Sequence, residues 1–270
     1  MSSPEFRWLI TGISSGLGRA LAETALARGD CVLGTCRKAE QAIAFETLAP
    51  GRAFACVLDL ARSGAAHQVL GQAIDRAGGV DVVVNNAGYG LIGAVEELSD
   101  TEARRVMEVN FFGALAVTQV ALPYLRRQRS GHIINITSLA GRVGHDGLAL
   151  YCASKFALEG LGLSLALETR HLGIKVTNVE PGSFRTNWRS RGALIDAAKL
   201  IDDYGESVGV RRTRLAAGHG QQEGDPRRAA EAIIRIVESP KPPVRLALNP
   251  KAWAAIRNEL TAAIAEMDEW

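Results

Sequence analysis

Apolar and polar positions along the chain fall into two alternating rhythms. Short β-branched runs at 7–11, 31–36, 53–58, 80–85, 132–137, 175–180 and 244–248 are read as strands. Between them, apolar residues recur every three or four positions, as Leu17, Leu21 and Ala25 do, and predict helices over 17–27, 39–48, 65–77, 101–127 and 150–171. The 101–127 helix is expected to start at an Asp100 cap. Strands that are apolar on both faces and separated by helices specify an α/β fold, a parallel sheet of about seven strands covered on both sides. No internal repeat, low-complexity tract or linker breaks the rhythm, so residues 1–270 are read as one domain. One stretch departs from it: residues 183–225 are polar and carry Arg185, Arg189, Arg191, Arg211, Arg212 and Arg214. An excursion of that length is expected to be a substrate lid or a mobile segment.

Composition adds exclusions. At 270 residues the chain can bury roughly 75% of its unfolded surface, enough for a core without metal or disulfide staples. Its 31 Lys and Arg against 29 Asp and Glu leave a net charge of +2. So small a balance excludes a nucleic-acid binder built on phosphate attraction, and it excludes charge-driven disorder. Cys31, Cys36, Cys56 and Cys152 form no C-x-x-C pair and no metal-ligand spacing, so no metal is expected and they read as thiols of a reducing cytoplasm. The start, Met1 to Phe6, lacks the basic stretch and apolar core of a signal peptide. No apolar run approaches the roughly 20 residues that cross a bilayer, so a cytoplasmic protein without a membrane partner is expected. Asn135-Ile136-Thr137 matches a glycosylation sequon but lies in a strand run and is expected to go unused. The informative excess is glycine, 28 of 270 residues. That is about 10% against roughly 7% in average proteins.

Glycine clusters first in Thr11-Gly12-Ile13-Ser14-Ser15-Gly16-Leu17-Gly18, between the first strand and the first helix. Amides at a helix start, with the positive end of the dipole, attract phosphate, and glycines let the backbone approach it. Gly12, Ser14, Ser15, Gly16, Leu17 and Gly18 are therefore candidate dinucleotide-binding residues, although a turn made only for packing could carry the same glycines. The spacing is G-x-x-x-G-x-G rather than G-x-G-x-x-G. The loop also satisfies G-x-S-x-G, the nucleophile elbow of hydrolases. A single preceding strand is too few for that elbow and none of the 5 histidines is spaced as its base, so that reading is set aside. About twenty residues past the loop, where an acid would bind a ribose 2′-hydroxyl, the chain has Thr35-Cys36-Arg37-Lys38. A guanidinium can grip a 2′-phosphate bidentately, so Arg37 predicts NADP(H) in preference to NAD(H). A solvated charge at a strand end is the plain alternative, and Arg19 is a weaker candidate.

Tyr151 and Lys155 are four apart and share one helix face. A tyrosine pKa near 10 must fall by about three units, roughly 4 kcal/mol, to shuttle protons at neutral pH. An ammonium about 5 Å away supplies about 3 kcal/mol at an effective dielectric of about 20, and a positively charged nicotinamide nearby could supply the rest, so the magnitudes permit Tyr151 to act as general acid/base for carbonyl–alcohol interconversion. Ser138 ends the fifth strand, where its hydroxyl can polarise a substrate oxygen. Asn85-Asn86-Ala87-Gly88 ends the fourth in the same layer. Asn110, polar amid apolar helix neighbours, reads either as a core amide bonding to backbone or as part of a proton path.

These motifs, together with Asp59-Leu60 and Pro181-Gly182…Thr186, run in order over about residues 7–187 plus the last strand, and they resemble the short-chain dehydrogenase/reductase superfamily. The resemblance implies a Rossmann-like doubly wound sheet and an Asn110–Ser138–Tyr151–Lys155 tetrad. It further implies that Lys155 holds the nicotinamide ribose, that Asn110 holds a relay water, and that Asp59 and Leu60 lie by the adenine. Asn86, Ala87 and Gly88 join the cofactor site, and Pro181, Gly182, Phe184 and Thr186 border the nicotinamide amide. A homodimer or homotetramer through helices 101–127 and 150–171 is implied as well. The expected function is NADP-dependent hydride transfer between a carbonyl and a secondary alcohol. Segments 88–91 and 142–148 and the lid should bound the substrate, and Tyr89, Val143, Leu148 and Trp188 lean toward an apolar one. Two alternatives stay open: a 3-oxoacyl-acyl-carrier-protein reductase whose lid arginines meet an acidic partner, and a non-catalytic NADP-sensing protein. For those arginines, a solvated face balanced by Asp196, Asp202, Asp203 and Glu206 is the plain alternative.

Overall fold

The strand–helix alternation read from the sequence is the architecture of the computed structural model, which describes residues 5–190 and 192–270. Arg191 and the first four residues lie outside the described residues. The chain begins β1 (Arg7–Thr11), α1 (Gly16–Ala27), β2 (Cys31–Cys36), α2 (Ala39–Glu46), β3 (Ala53–Val57), α3 (Ala65–Arg76) and β4 (Val82–Asn85). It continues through β5 (Gly90–Ile92), α4 (Asp100–Met107), α5 (Gly113–Gln128), β6 (Gly131–Ile136), α6 (Ala149–Thr169) and β7 (Ile174–Pro181). Last come β8 (Leu194–Asp196), α7 (Val210–Ala217), α8 (Pro226–Glu238), β9 (Arg245–Leu248) and α9 (Pro250–Glu269).

Seven of these strands pair in the order β3-β2-β1-β4-β6-β7-β9, every pairing parallel. The period-two alternation of a strand distributes its side chains between two cores. Trp8 and Ile10 of β1 pack with α1, α2 and α8 on one face, and Leu9 packs with α3, α5 and α6 on the other. The result is a Rossmann-like α/β sheet whose connections leave β1 and β4 in opposite directions, opening a crevice at their carboxyl ends. A row of asparagines runs beside it. Asn85 donates to Asn135 at 2.9 Å and Asn135 to Asn178 at 3.0 Å, each pair in register on neighbouring strands. Buried amides need partners, so this row penalises any slip of register and leaves the sequon asparagine inside the sheet.

The structure departs from the sequence reading in five respects. The helix expected over 101–127 is α4 and α5, separated by a π-type turn at Glu108–Phe112. Its cap is Ser99 rather than Asp100. Ser99 Oγ accepts from the Glu102 N–H while the Glu102 carboxylate accepts from the Ser99 N–H, a reciprocal box that Asp100 cannot form. β5 and β8 make an extra two-stranded sheet, each strand too short to show a period. The polar 183–225 stretch contains helix α7, and α8 and α9 follow it. By length and composition, residues 100–128 and 149–172 are apolar enough to cross a membrane, contrary to the reading of the apolar runs. Both are tied to the sheet through Val117, Ala121, Leu125 and Leu165.

Candidate active site

The carboxyl ends of β1, β2, β3, β4, β6 and β7 open onto one cavity of about 540 Å³. One end is lined by Gly12, Ser14, Ser15, Gly16 and Leu17, by Thr35, Cys36 and Arg37, and by residues 58–61. The Gly12 and Ile13 amides both donate to the Thr35 carbonyl at 3.0 Å, which folds the loop back over β2. Gly12 and Gly16 have φ of 75° and 66°, left-handed values that a Cβ would strain. α1 has no side-chain cap at Ser15 and no acidic residue in its first turn, so its N-terminal charge is uncompensated. An amide-rich cradle with that polarity fits a phosphate-bearing dinucleotide. Gly18 has a different task. It is not among the described residues lining the cavity, and a Cβ on it would run into the Asn86 amide and lie 2.6 Å from the Gly12 carbonyl. It is a packing glycine that lets α1 approach the end of β4.

Arg37 is exposed at the rim and pairs with no carboxylate among the described residues, whereas Lys38 faces Glu40 at 3.6 Å. Arg19 is engaged by Glu23 at 2.6 Å and lies over the Phe45 ring. Asp59 Oδ1 accepts from the Ala61 N–H at 3.0 Å, which turns the chain after β3.

Ser138, Tyr151 and Lys155 line the same cavity. Ser138 follows β6 and accepts from the Ala140 N–H at 3.0 Å, opening a short turn. Tyr151 and Lys155 project one turn apart from α6, 6% and 5% exposed. The Lys155 ammonium donates to the Ile136 carbonyl at 2.8 Å and lies 5.9 Å from the centre of the Tyr151 ring. The lowering of the phenol expected from this ammonium is not seen, and desolvation raises it instead. Burial pushes Tyr151 up to about 12 against an opposing hydrogen bond with Ser138. Burial also pulls Lys155 down to about 8, with Glu159 opposing. At pH 7 the pair is a neutral phenol beside a charged amine. Trp188 covers the phenol, its ring centroid 5.3 Å away.

The Asn110 side chain is not among the described cavity-lining residues. It lies in the π-type turn, where its Oδ1 accepts from the Tyr89 N–H and its Nδ2 donates to the Tyr89 carbonyl and Ser154 Oγ, all at 3.0 Å. The amide clamps the loop after β4 to α6. No histidine hydrogen-bonds Ser14 among the described residues, so the G-x-S-x-G pattern has no base to serve it.

The cofactor candidates Asn86, Ala87, Gly88, Pro181, Gly182, Phe184 and Thr186 border the cavity between its two ends, as do Asp59 and Leu60 at the first. The substrate-side expectation needs correction. Tyr89, Leu148 and Trp188 line it, but Val143, Gly90 and Leu91 are not among the described lining residues. The turn after Ser138 points Arg142 away, to a 2.9 Å ion pair with buried Glu180. Gly90 and Leu91 are taken up by β5. Arg105 and Val109, one turn apart across α4 and the π-type turn, line the cavity in addition, while the expected 142–148 segment contributes His145 and the expected lid Ile195 and Leu215. The Arg105–Val109 spacing was visible in the sequence. The inward-facing residues of 183–225 had no periodic signal to find them by.

Comparison with known proteins agrees with this geometry. Residues 7–193 match the family model described as short chain dehydrogenase. A short-chain dehydrogenase from Streptomyces avermitilis superposes with a TM-score of 0.92 at 41% identity, covering 100% of this chain and 97% of that one. Oxidoreductase BOA17 of Botryotinia fuckeliana is 36% identical over 246 residues, 91% of this chain and 89% of that protein. A 3-ketodihydrosphingosine reductase of Bacteroides thetaiotaomicron is 36% identical over 242 residues, 90% and 87% of the two chains. By this family match the chain belongs to the short-chain dehydrogenases, oxidoreductases that act on CH–OH groups with a nicotinamide cofactor.

Proposed function

We propose that the protein is an NADP-dependent oxidoreductase that interconverts a carbonyl and a secondary alcohol, with Tyr151 as general acid/base. The observation that carries this reading is the convergence of Ser138, Tyr151 and Lys155 on a cavity whose far end holds the glycine loop and Arg37. The glycine loop, from Gly12 to Leu17, would hold the pyrophosphate, Arg37 the 2′-phosphate, and Asp59 and Leu60 the adenine side. Asn86, Ala87 and Gly88, with Pro181, Gly182, Phe184 and Thr186, would seat the nicotinamide half, and Lys155 its ribose.

When bound, the nicotinamide supplies or accepts the hydride. In reduction, the Ser138 hydroxyl donates to the substrate oxygen and polarises it. Tyr151 then gives that oxygen its proton, and in oxidation it takes the proton back. The Lys155 ammonium, charged at neutral pH, stabilises the phenolate left behind, which is where its charge matters in so dry a site. Asn110 acts at one remove, fixing the Tyr89 loop against α6. Trp188 excludes water from above.

An apolar substrate is supported by Tyr89, Val109, Leu148, Trp188 and Leu215 around the cavity, and by the relative that reduces 3-ketodihydrosphingosine. Residues 183–225 would serve as the lid. A homodimer or homotetramer is supported by Phe112 and Phe156, each 47% exposed, and Leu167, 66% exposed, on the two helices where such contacts are expected. The test is Tyr151→Phe, assayed by NADPH absorbance on a panel of ketones and aldehydes. The expected result is a loss of kcat of roughly 100-fold or more with NADPH still bound. Wild-type turnover in the variant would overturn the assignment.

A further inference from the structure

We propose that the substrate carries an anion, a carboxylate or a phosphate ester, at the end remote from its reacting oxygen, and that Arg189 and Arg214 receive it. The proposal rests on the oxidoreductase reading of this cavity and adds the substrate class. Besides Arg37, four arginines line the cavity: Arg105, Arg189, Arg211 and Arg214. Among the described lining residues the one carboxylate is Asp59, in the 58–61 segment at the opposite, Arg37 end.

Partners sort these charges. In the 183–225 segment, Arg185 pairs with Asp225 at 3.5 Å, Arg212 with Asp196 at 2.8 Å, and Arg211 with Asp146 of the loop before α6. Asp202, Asp203 and Glu206, expected to balance the segment, pair with no arginine among the described residues. Arg189 donates to the Gly218 carbonyl at 3.1 Å and to Ser183 Oγ at 3.0 Å, neutral acceptors both, and partial burial holds its pKa below the ordinary guanidinium value. Arg214 has no ion-pair partner among the described residues. His145 on this wall is pushed below the ordinary imidazole value by burial and then by Arg211, so it stays neutral and adds no further positive charge.

The placement is directional. Arg211, Arg214 and Leu215 lie three and four residues apart on one face of α7, and all three line the cavity. Leu215 packs in the cluster that contains Tyr151 and Trp188. Arg189 is anchored on Gly218, just past the end of the same helix. An apolar wall beside the phenol thus gives way to guanidinium groups that lack a counter-charge. Arg189 is half-buried without an acid partner, a costly arrangement that a bound anion relieves, and Arg214, exposed on the same wall, can add charge-assisted, bidentate hydrogen bonds to it. The ligand is therefore amphipathic, with an apolar body between its carbonyl and its charge.

The test uses 7-oxooctanoate and its methyl ester as substrates with NADPH, and octanoate, octyl phosphate and methyl octanoate as calorimetric binding probes. Wild-type kcat/KM is expected to favour the acid over the ester at least tenfold in 50 mM NaCl, through KM, with the preference collapsing in 500 mM NaCl. Arg214→Gln and Arg189→Gln should each lower the acid-to-ester ratio about tenfold. Equal wild-type use of acid and ester, or a fall in NADPH affinity that matches the loss in the variants, would overturn the proposal; the latter would mean that the arginines serve the cofactor. The binding arm separates this failure from that of the redox reading. Octanoate that binds at least tenfold tighter than methyl octanoate, and loses that margin in Arg214→Gln, supports the anion site even if neither ketone is reduced. Equal binding of the two in an enzyme that reduces ketones sinks the anion site alone. Tighter binding of octyl phosphate than of octanoate assigns a phosphate ester, and the reverse order a carboxylate.

Discussion

Replacing Arg37 tests the link between one exposed side chain and the identity of the cofactor. The backbone there is held independently of the side chain, because the Thr35 carbonyl accepts from Gly12 and Ile13 and β2 pairs with β1 and β3 on either side. A change at Arg37 therefore leaves the fold in place. Hydrogen bonds to a charged group are worth about 1.5–3 kcal/mol, and an exposed guanidinium belongs at the low end, so Arg37→Gln should weaken NADPH roughly tenfold. Arg37→Asp adds repulsion between a carboxylate and a doubly charged phosphate. At about 5 Å in water that is about 1.7 kcal/mol, falling to about 1 kcal/mol with screening at 0.1 M salt, for a total of roughly 50- to 100-fold. NADH, which lacks the phosphate, should change by less than about threefold in either variant, since no charge is there to lose. Lys38→Gln is the control: its ammonium already faces Glu40 at 3.6 Å and should matter less. The assay is a fluorescence or calorimetric titration of each variant with NADPH and with NADH in 0.1 M NaCl. Equal losses for the two cofactors, or none for NADPH, would refute the reasoning.

Three further outcomes are expected. The Lys155 pKa of about 8 means that its charge is present below that pH and lost above it, so kcat for reduction should be flat on the acid side and fall above pH 8, and a profile flat to pH 10 would show that the ammonium is not needed. Burial, aided by Lys175, lowers His132 to about 4 from 6.5. The unfolded chain therefore takes up the proton first, and stability should fall by about 1.4 kcal/mol per pH unit as the pH drops from 6.5 toward 4, a slope that His132→Gln should flatten in urea melts at pH 7 and pH 5. Gly18→Ala should destabilise the fold by about 1–3 kcal/mol, because its methyl group displaces the Asn86 amide that donates to Thr11 at 2.8 Å; thermal melts with and without NADPH will show whether the cofactor cradle loosens as well.

Much of the fold was legible along the chain because its signals are local. Seven apolar runs became the seven strands of the main sheet, and the glycine loop fell where one strand meets a helix. The π-type turn at Glu108–Phe112 was not legible, since the apolar period of 101–127 passes through it with little change while its cause is the clamp between Asn110, Tyr89 and Ser154. Nor was the exit of Val143 from the cavity wall, which follows from a turn that takes Arg142 to Glu180.

The order of residue types thus determined by itself which side chains are the candidates for chemistry: a phenol and an amine one helical turn apart, a hydroxyl at a strand end, and a guanidinium where an acid is customary. Periodicity and short-range spacing are properties of the chain alone, so these could be read before any fold was known. Tertiary structure decided their electrostatics. Tyr151 rises to about 12 and Lys155 falls to about 8 because neighbours distant in sequence remove water from both. It also decided which arginines of 183–225 are neutralised and which are left facing the cavity, since ion pairs such as Arg211 with Asp146 join residues that no local pattern connects.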